Sequence, residues 1–129
     1  MEKYSKFSIR ARINSFRYAF RGLGFMFQTE QNSWIHLFVT IVVIAFGVWF
    51  HISATEWCFT SLAIGLVFMA EMVNTAFERL LDLVHPEEHP MVGKIKDLAA
   101  GTVLATAVIA IAVGLIIFLP KIIDKLGRM

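Results

Sequence analysis

Charge is scarce in this chain and cysteine is nearly absent. Charged residues make up 17% of the 129 residues against 57% hydrophobic ones, and the mean hydropathy is +0.67. That balance excludes an ordinary soluble domain of this size, and the length allows at most one domain, so the chain reads as an integral membrane protein. A single cysteine, Cys58, lies inside an apolar run. Neither a disulfide framework nor a cysteine metal site can then form within one chain, and Cys58 is expected to be a small buried side chain. There is no G-x-x-x-x-G-K-[ST] loop, no G-x-G-x-x-G glycine loop and no HRD or DFG stretch, so the familiar phosphate-cradling motifs are excluded. The first long apolar run begins near Trp34 and ends without a small-residue cleavage pattern, so a cleaved signal peptide is not expected.

What charge there is falls unevenly. Six of the twelve basic residues, Lys3, Lys6, Arg10, Arg12, Arg17 and Arg21, precede the first apolar run, which suits anionic lipid headgroups better than nucleic acid. Residues 7–27 read as an amphipathic helix. Ile9, Ile13, Phe16, Phe20, Leu23 and Phe27 recur at helical spacing, with Arg10, Asn14, Arg17 and Arg21 on another face, so the helix is expected to lie flat at the membrane surface. Tyr18 and the arginines could instead line a phosphate site. Gly22 and Gly24 are expected to loosen the chain before a polar patch, residues 28–32, that carries the acid Glu30.

Three apolar runs follow. The first, residues 33–50, is bracketed by Trp34 and Trp49 and reaches about 27 Å as a helix; His36 near its start is expected to be interfacial or packed. Ser53 and Glu56 form a capping-box pattern that starts the second helix near Ala54. Running from there to Val84, that helix would measure about 46 Å, well beyond a hydrocarbon layer of about 30 Å, so its end must leave the membrane near Glu71. HPEEHP, residues 85–90, should break it, with the loop continuing to GKIKD. Residues 98–119 form the third run, in which Thr102, Thr106, Ala110 and Gly114 recur every four residues, a small-residue stripe expected to permit close packing. Nine basic residues flank one side of these spans against three on the other, which predicts a cytoplasmic N-terminus and a non-cytoplasmic C-terminus.

The informative stretch is residues 71–82, EMVNTAFERLLD. It places Glu71, Asn74, Glu78 and Asp82 on one helix face, within an arc of about 80°. Before it, residues 57–70 carry no charge at all, so the acidic face emerges from a buried helix, where carboxylates are costly and by default functional. Glu78 with a second carboxylate such as Glu30 could hold Mg2+ that carries phosphates. Glu71, at the drier position, could take a proton from a lipid hydroxyl. Lys96 could neutralise phosphate charge and Asn74 could orient a reacting group. Together these residues describe phosphoryl transfer from a nucleotide to an alcohol at the bilayer surface. A small transport or assembly subunit using Glu71 as a proton or cation site is the reading from another class, and it predicts no nucleotide dependence.

The run AEMVNTAFERLLDL, followed by KIKDLAAGTVL, resembles the signature of the small bacterial diacylglycerol kinase and undecaprenol kinase family, E-x-x-N-[ST]-A-x-E-x-x-x-D with a K-D pair after a short loop. The similarity extends from about Tyr18 to Leu119. It implies an all-α membrane homotrimer in the bacterial inner membrane, three-span subunits with an N-terminal surface helix, and active sites shared between neighbours. The substrates implied are ATP, with Mg2+, and a membrane lipid alcohol. By resemblance Glu71 is the catalytic base and Glu30 and Glu78 hold the metal. Tyr18, Glu87, Glu88, His89, Lys96 and Asp97 match nucleotide-contacting positions, Asn74 matches the signature amide, and Arg10 or Arg12 supplies an N-terminal phosphate contact. The NTA and KDLAAG runs look more like the undecaprenol branch than the diacylglycerol branch, which remains the alternative.

Overall fold

The computed structural model describes residues 8–87 and 89–128; Glu88, and Lys3 and Lys6 of the basic segment, lie outside them. Four helices account for nearly all of the described chain: α1 (Ile9–Thr29), α2 (Gln31–Trp49), α3 (Ala54–Val84) and α4 (Pro90–Gly127). The last three are long and apolar enough to cross a membrane. In a medium without water every backbone N–H and C=O must be satisfied within its own segment, which is why an apolar chain of this kind is all helix.

Ser8 caps α1 through its side chain, which accepts from the Ala11 N–H. Gly22 and Gly24 do not loosen the chain as expected: α1 runs through both to Thr29, since glycine costs an interior helical position only about 1 kcal/mol. The break comes at Glu30, whose extended backbone separates α1 from α2. Trp34 bridges the corner, its indole N–H donating to the Phe27 carbonyl at 2.9 Å and its ring meeting the Phe27 ring edge-on.

A tight turn joins α2 to α3, with His51 in the left-handed region at φ 49°, and the Ser53–Glu56 capping box then opens α3 at Ala54. The closest approach at this end is at Gly47, where an added Cβ would lie 2.7 Å from the Trp57 ring. The far end of α4 closes the same corner. Lys121 pairs with Glu56 at 3.0 Å, and the Lys125 ammonium sits 4.4 Å from the Trp49 ring centroid.

Helix α3 is the packing hub. It lies chiefly against α4, more lightly against α2, and touches α1. Its buried positions, Thr60, Ala63, Val67, Ala70, Glu71, Asn74 and Thr75, follow one face at helical spacing. Cys58 faces outward on α3 and is exposed, not buried in the protein; an apolar run in a membrane can hide such a side chain in lipid instead.

At its other end the chain departs from the sequence-based loop. The break spans only residues 85–89: Pro90 occupies the first turn of α4, where its missing N–H costs nothing, and His89 caps that turn by accepting from the Met91 N–H. GKIKD is therefore helical, and α4 extends past residue 119 through Pro120 to Gly127. Within the single chain the stripe in α4 leaves open space at one of its four positions. Thr102 and Thr106 hydrogen-bond their own helix backbone, and a Cβ added at Gly114 would meet nothing.

Candidate active site

Glu71 is the most deeply buried charged side chain described, at 1% exposure, and neither of its carboxylate oxygens has a hydrogen-bond partner among the described residues. Helix α3 makes this unavoidable: Glu71 lies on the stripe that also buries Ala63, Val67 and Ala70. Three and seven residues on, Asn74 and Glu78 continue that face, and the Asn74 amide donates to Glu78 Oε1 at 3.1 Å. The Asn74 carbonyl oxygen is buried and unpartnered among the described residues.

Glu30, Glu71, Asn74 and Glu78 line one cleft of about 350 Å3, together with Asn32, His36 and an apolar wall from α4 that includes Ala100, Val103 and Ala107. Four of the sequence-predicted residues thus converge from the α1–α2 corner and α3. A second, apolar groove of about 490 Å3 opens between α2, α3 and α4. His36 and Ala107 line both cavities, so the polar cleft and the apolar groove meet at these two residues.

The oxygen donors in the cleft suit a hard cation. Glu30 and Glu78 supply carboxylates, the unpartnered Asn74 carbonyl oxygen a neutral donor, and Mg2+ characteristically takes one or two carboxylates plus substrate phosphates. No group of three or more His, Cys, Asp or Glu arranged to hold a metal occurs among the described residues. Glu30 is not idle, since Arg79 donates to its Oε1 at 3.1 Å.

The remaining sequence-predicted residues lie outside the cleft. Asp82 accepts from the Lys96 ammonium, which ties the end of α3 to the start of α4. Asp82 lies in the end of α3 that about 30 Å of hydrocarbon would not cover, and the Lys96 hydrogen bond holds its carboxyl below the ordinary range. Asp97 is exposed on α4. Tyr18, Arg10 and Arg12 are exposed on α1, with the Arg21 guanidinium 5.8 Å from the Tyr18 ring centroid. Glu87 and His89 are exposed in the α3–α4 turn, where His85 Nδ1 lies 3.1 Å from the Glu87 carbonyl oxygen.

The chain matches the model of the prokaryotic diacylglycerol kinase family over residues 17–118. It belongs to that family. Among its relatives, the undecaprenol kinase of Bacillus subtilis (strain 168) is 40% identical over 110 residues, which cover 85% of this chain and 89% of that protein. The diacylglycerol kinase of Synechocystis sp. is 37% identical over 111 residues, covering 85% of this chain and 63% of that protein. The diacylglycerol kinase of Haemophilus influenzae is 27% identical over 107 residues, covering 82% and 91%. Membership decides between the two classes left open by spacing: the chain is a membrane lipid kinase, not a transport subunit.

Two residues of the kinase's cleft region carried no signal in the sequence. Arg79 entered only as one of the nine basic residues counted for orientation, and nothing in the spacing linked it to Glu30, 49 residues away. His36 was read as interfacial or packed, yet its Nε2 lies 3.9 Å from Glu71 Oε2. Pairings between helices depend on how the helices cross, which periodicity within one helix does not encode.

Proposed function

We propose that the kinase transfers the γ-phosphate of ATP to the hydroxyl of a membrane lipid, with undecaprenol the favoured acceptor. One observation carries the reading: a buried carboxylate, Glu71, stands in a polar cleft that meets an apolar groove at His36 and Ala107. A molecule with one hydroxyl and a long apolar tail fits that junction. Glu71 accepts the hydroxyl proton as the lipid oxygen bonds to the γ-phosphorus, and the bond from that phosphorus to the β–γ bridging oxygen breaks to release ADP. An alcohol is too weak an acid to ionise beforehand, so transfer of the proton accompanies attack. Glu30 and Glu78 would hold Mg2+, which supplies charge neutralisation on the phosphates when bound. Asn74, hydrogen-bonded to Glu78, fixes the orientation of that carboxylate.

Tyr18, one of Arg10 and Arg12, the 87–89 stretch and the Lys96–Asp97 pair are proposed as nucleotide contacts. All belong to α1, the α3–α4 turn or the start of α4, on the side where the α3 extension leaves the membrane. That side is proposed to be cytoplasmic, in a bacterial inner membrane. The cleft is open along one side of a single chain, and a homotrimer with sites shared between neighbours would enclose it. Mixing Glu71→Gln with Glu30→Gln subunits then restores part of the activity; verified mixed assemblies that stay inactive place both residues in one subunit.

Diacylglycerol is the second acceptor, favoured by the 37% identical relative. The deciding experiment presents purified protein in vesicles with labelled ATP and either lipid. Faster transfer to undecaprenol supports the reading, faster transfer to diacylglycerol reverses the substrate assignment, and transfer to neither overturns it.

A further inference from the structure

The Glu71 carboxylate and the Nε2 atom of the half-buried His36 are buried polar atoms that face each other. Neither oxygen of Glu71 and no atom at His36 Nε2 has a hydrogen-bond partner among the described residues, and the two approach to 3.9 Å. Burial makes such isolation costly, because water cannot replace the missing partner. The gap exceeds a hydrogen bond by about 1 Å, which a small side-chain rotation closes, and catalytic hydrogen bonds commonly tighten only once substrate is bound. Two nearby donors are engaged elsewhere: the Asn74 amide donates to Glu78 and Arg79 donates to Glu30, while Asn32 lines the cleft from the start of α2. The α4 wall contributes Ala100, Val103, Leu104 and Ala107, none with a side-chain donor. His36 Nε2 is the side-chain nitrogen that comes within 4 Å of the Glu71 carboxylate among the described residues.

We infer that His36 is the positioning residue for Glu71. With the proton on Nε2, the ring donates to one carboxylate oxygen and leaves the other aimed into the cleft, towards the acceptor hydroxyl. Packing supports the ring in that attitude, since Phe68 of α3 meets it edge-on at 6.4 Å between centroids. The inference rests on the proposed role of Glu71 as base and adds to it the residue that aims the carboxylate.

The test uses full-length protein in vesicles containing undecaprenol and, separately, diacylglycerol, comparing His36→Gln, His36→Asn and His36→Leu with the unsubstituted kinase. Glutamine carries its amide nitrogen at nearly the reach of Nε2, whereas asparagine falls about one bond short and leucine has no donor. His36→Gln should stay within about threefold of full turnover, while the other two lose about 10- to 100-fold in kcat, the scale of misplacing a reacting group by about 1 Å. KM for ATP should not move. In the Glu71→Gln background, His36→Leu should cause no further loss, because the interaction it removes has already lost its purpose.

Equal activity of the Gln and Asn variants, full turnover in His36→Leu, or a further full loss in the double variant would each overturn the assignment. So would a rise in lipid KM at unchanged kcat, which would make His36 a lipid contact. If His36→Leu does not assemble, the Gln and Asn pair still decides. The failures remain separate: no transfer by the unsubstituted protein refutes the kinase reading, and full turnover in Glu71→Gln refutes the base. With both of those intact, flat His36 data refute this inference alone.

Discussion

Replacing Glu71 by glutamine isolates one chemical property. The side chain is 1% exposed, so the substitute must fill the same space, and glutamine does so while removing the proton acceptor. Its neighbours are little disturbed, because neither carboxylate oxygen holds a hydrogen bond among the described residues that would be lost. Glu78 cannot take over. It stands seven residues further along α3, about 10 Å along the axis, and the Asn74 amide holds one of its oxygens. Loss of a general base costs about 10² to 10⁴ in rate, or about 3 to 5 kcal/mol of transition-state stabilisation. The expected outcome is that fall in kcat with ATP affinity nearly unchanged, measured by transfer of labelled γ-phosphate alongside equilibrium nucleotide binding. Near-normal turnover in Glu71→Gln, or a loss of nucleotide as severe as that in Glu78→Gln, would refute the assignment.

Glu78→Gln should weaken use of the ATP–magnesium complex and be partly compensated by raised Mg2+; an unchanged Mg2+ requirement in both Glu78→Gln and Glu30→Gln would leave these acids as solvated helix-end charges. Gly47→Ala should destabilise the α2–α3 corner by about 1 to 3 kcal/mol, because its Cβ meets the Trp57 ring at 2.7 Å, whereas Gly65→Ala, with open space around it, should lower the thermal midpoint far less. For Asp82, whose carboxyl Lys96 holds below its ordinary range, the pair's contribution is present above the unfolded pKa and lost as pH falls through the depressed folded one. The carboxyl carbon shift of Asp82 by NMR should therefore titrate below about 3.9, and a midpoint above that would show the pair does not persist. A reporter fused at Met129 should read non-cytoplasmic, and a cytoplasmic reading there would reverse the proposed side of the nucleotide.

Most of α3 was legible because its signals are local. The Ser53–Glu56 box marks its start, and the spacing of Glu71, Asn74 and Glu78 puts them on one face whatever else the chain does. The α3–α4 turn was less legible, since HPEEHP reads as a long break, yet proline at the first position of a helix starts it rather than stopping it, and Pro90 does this. The small-residue stripe in α4 is used only in part within one chain. Small residues permit close approach without compelling it, and here the close approach is made by Gly47 against Trp57 while Gly114 lines the apolar groove. His36 with Glu71 and Arg79 with Glu30 are contacts between segments, and no spacing rule connects them.

The length of α3 explains why one helix can serve two media. Its 31 residues reach about 46 Å, and roughly 20 of them span the hydrocarbon. On the proposed reading, position along the axis sets the environment of each acid: Glu71 is buried nearer the hydrocarbon end of the cleft, and Glu78, half-buried two turns on, stands towards the end that leaves the membrane. Their separation is also what keeps two acids from competing for one proton. Arg79 completes the logic at the wet end. By pairing with Glu30 at 3.1 Å it offsets one of the carboxylates that converge on the cleft, so the acidic cluster is held together before any cation or phosphate enters. Arg79 bonds only Oε1 of Glu30, so the other carboxylate oxygen would remain available to a cation shared with Glu78, with the guanidinium still beside it.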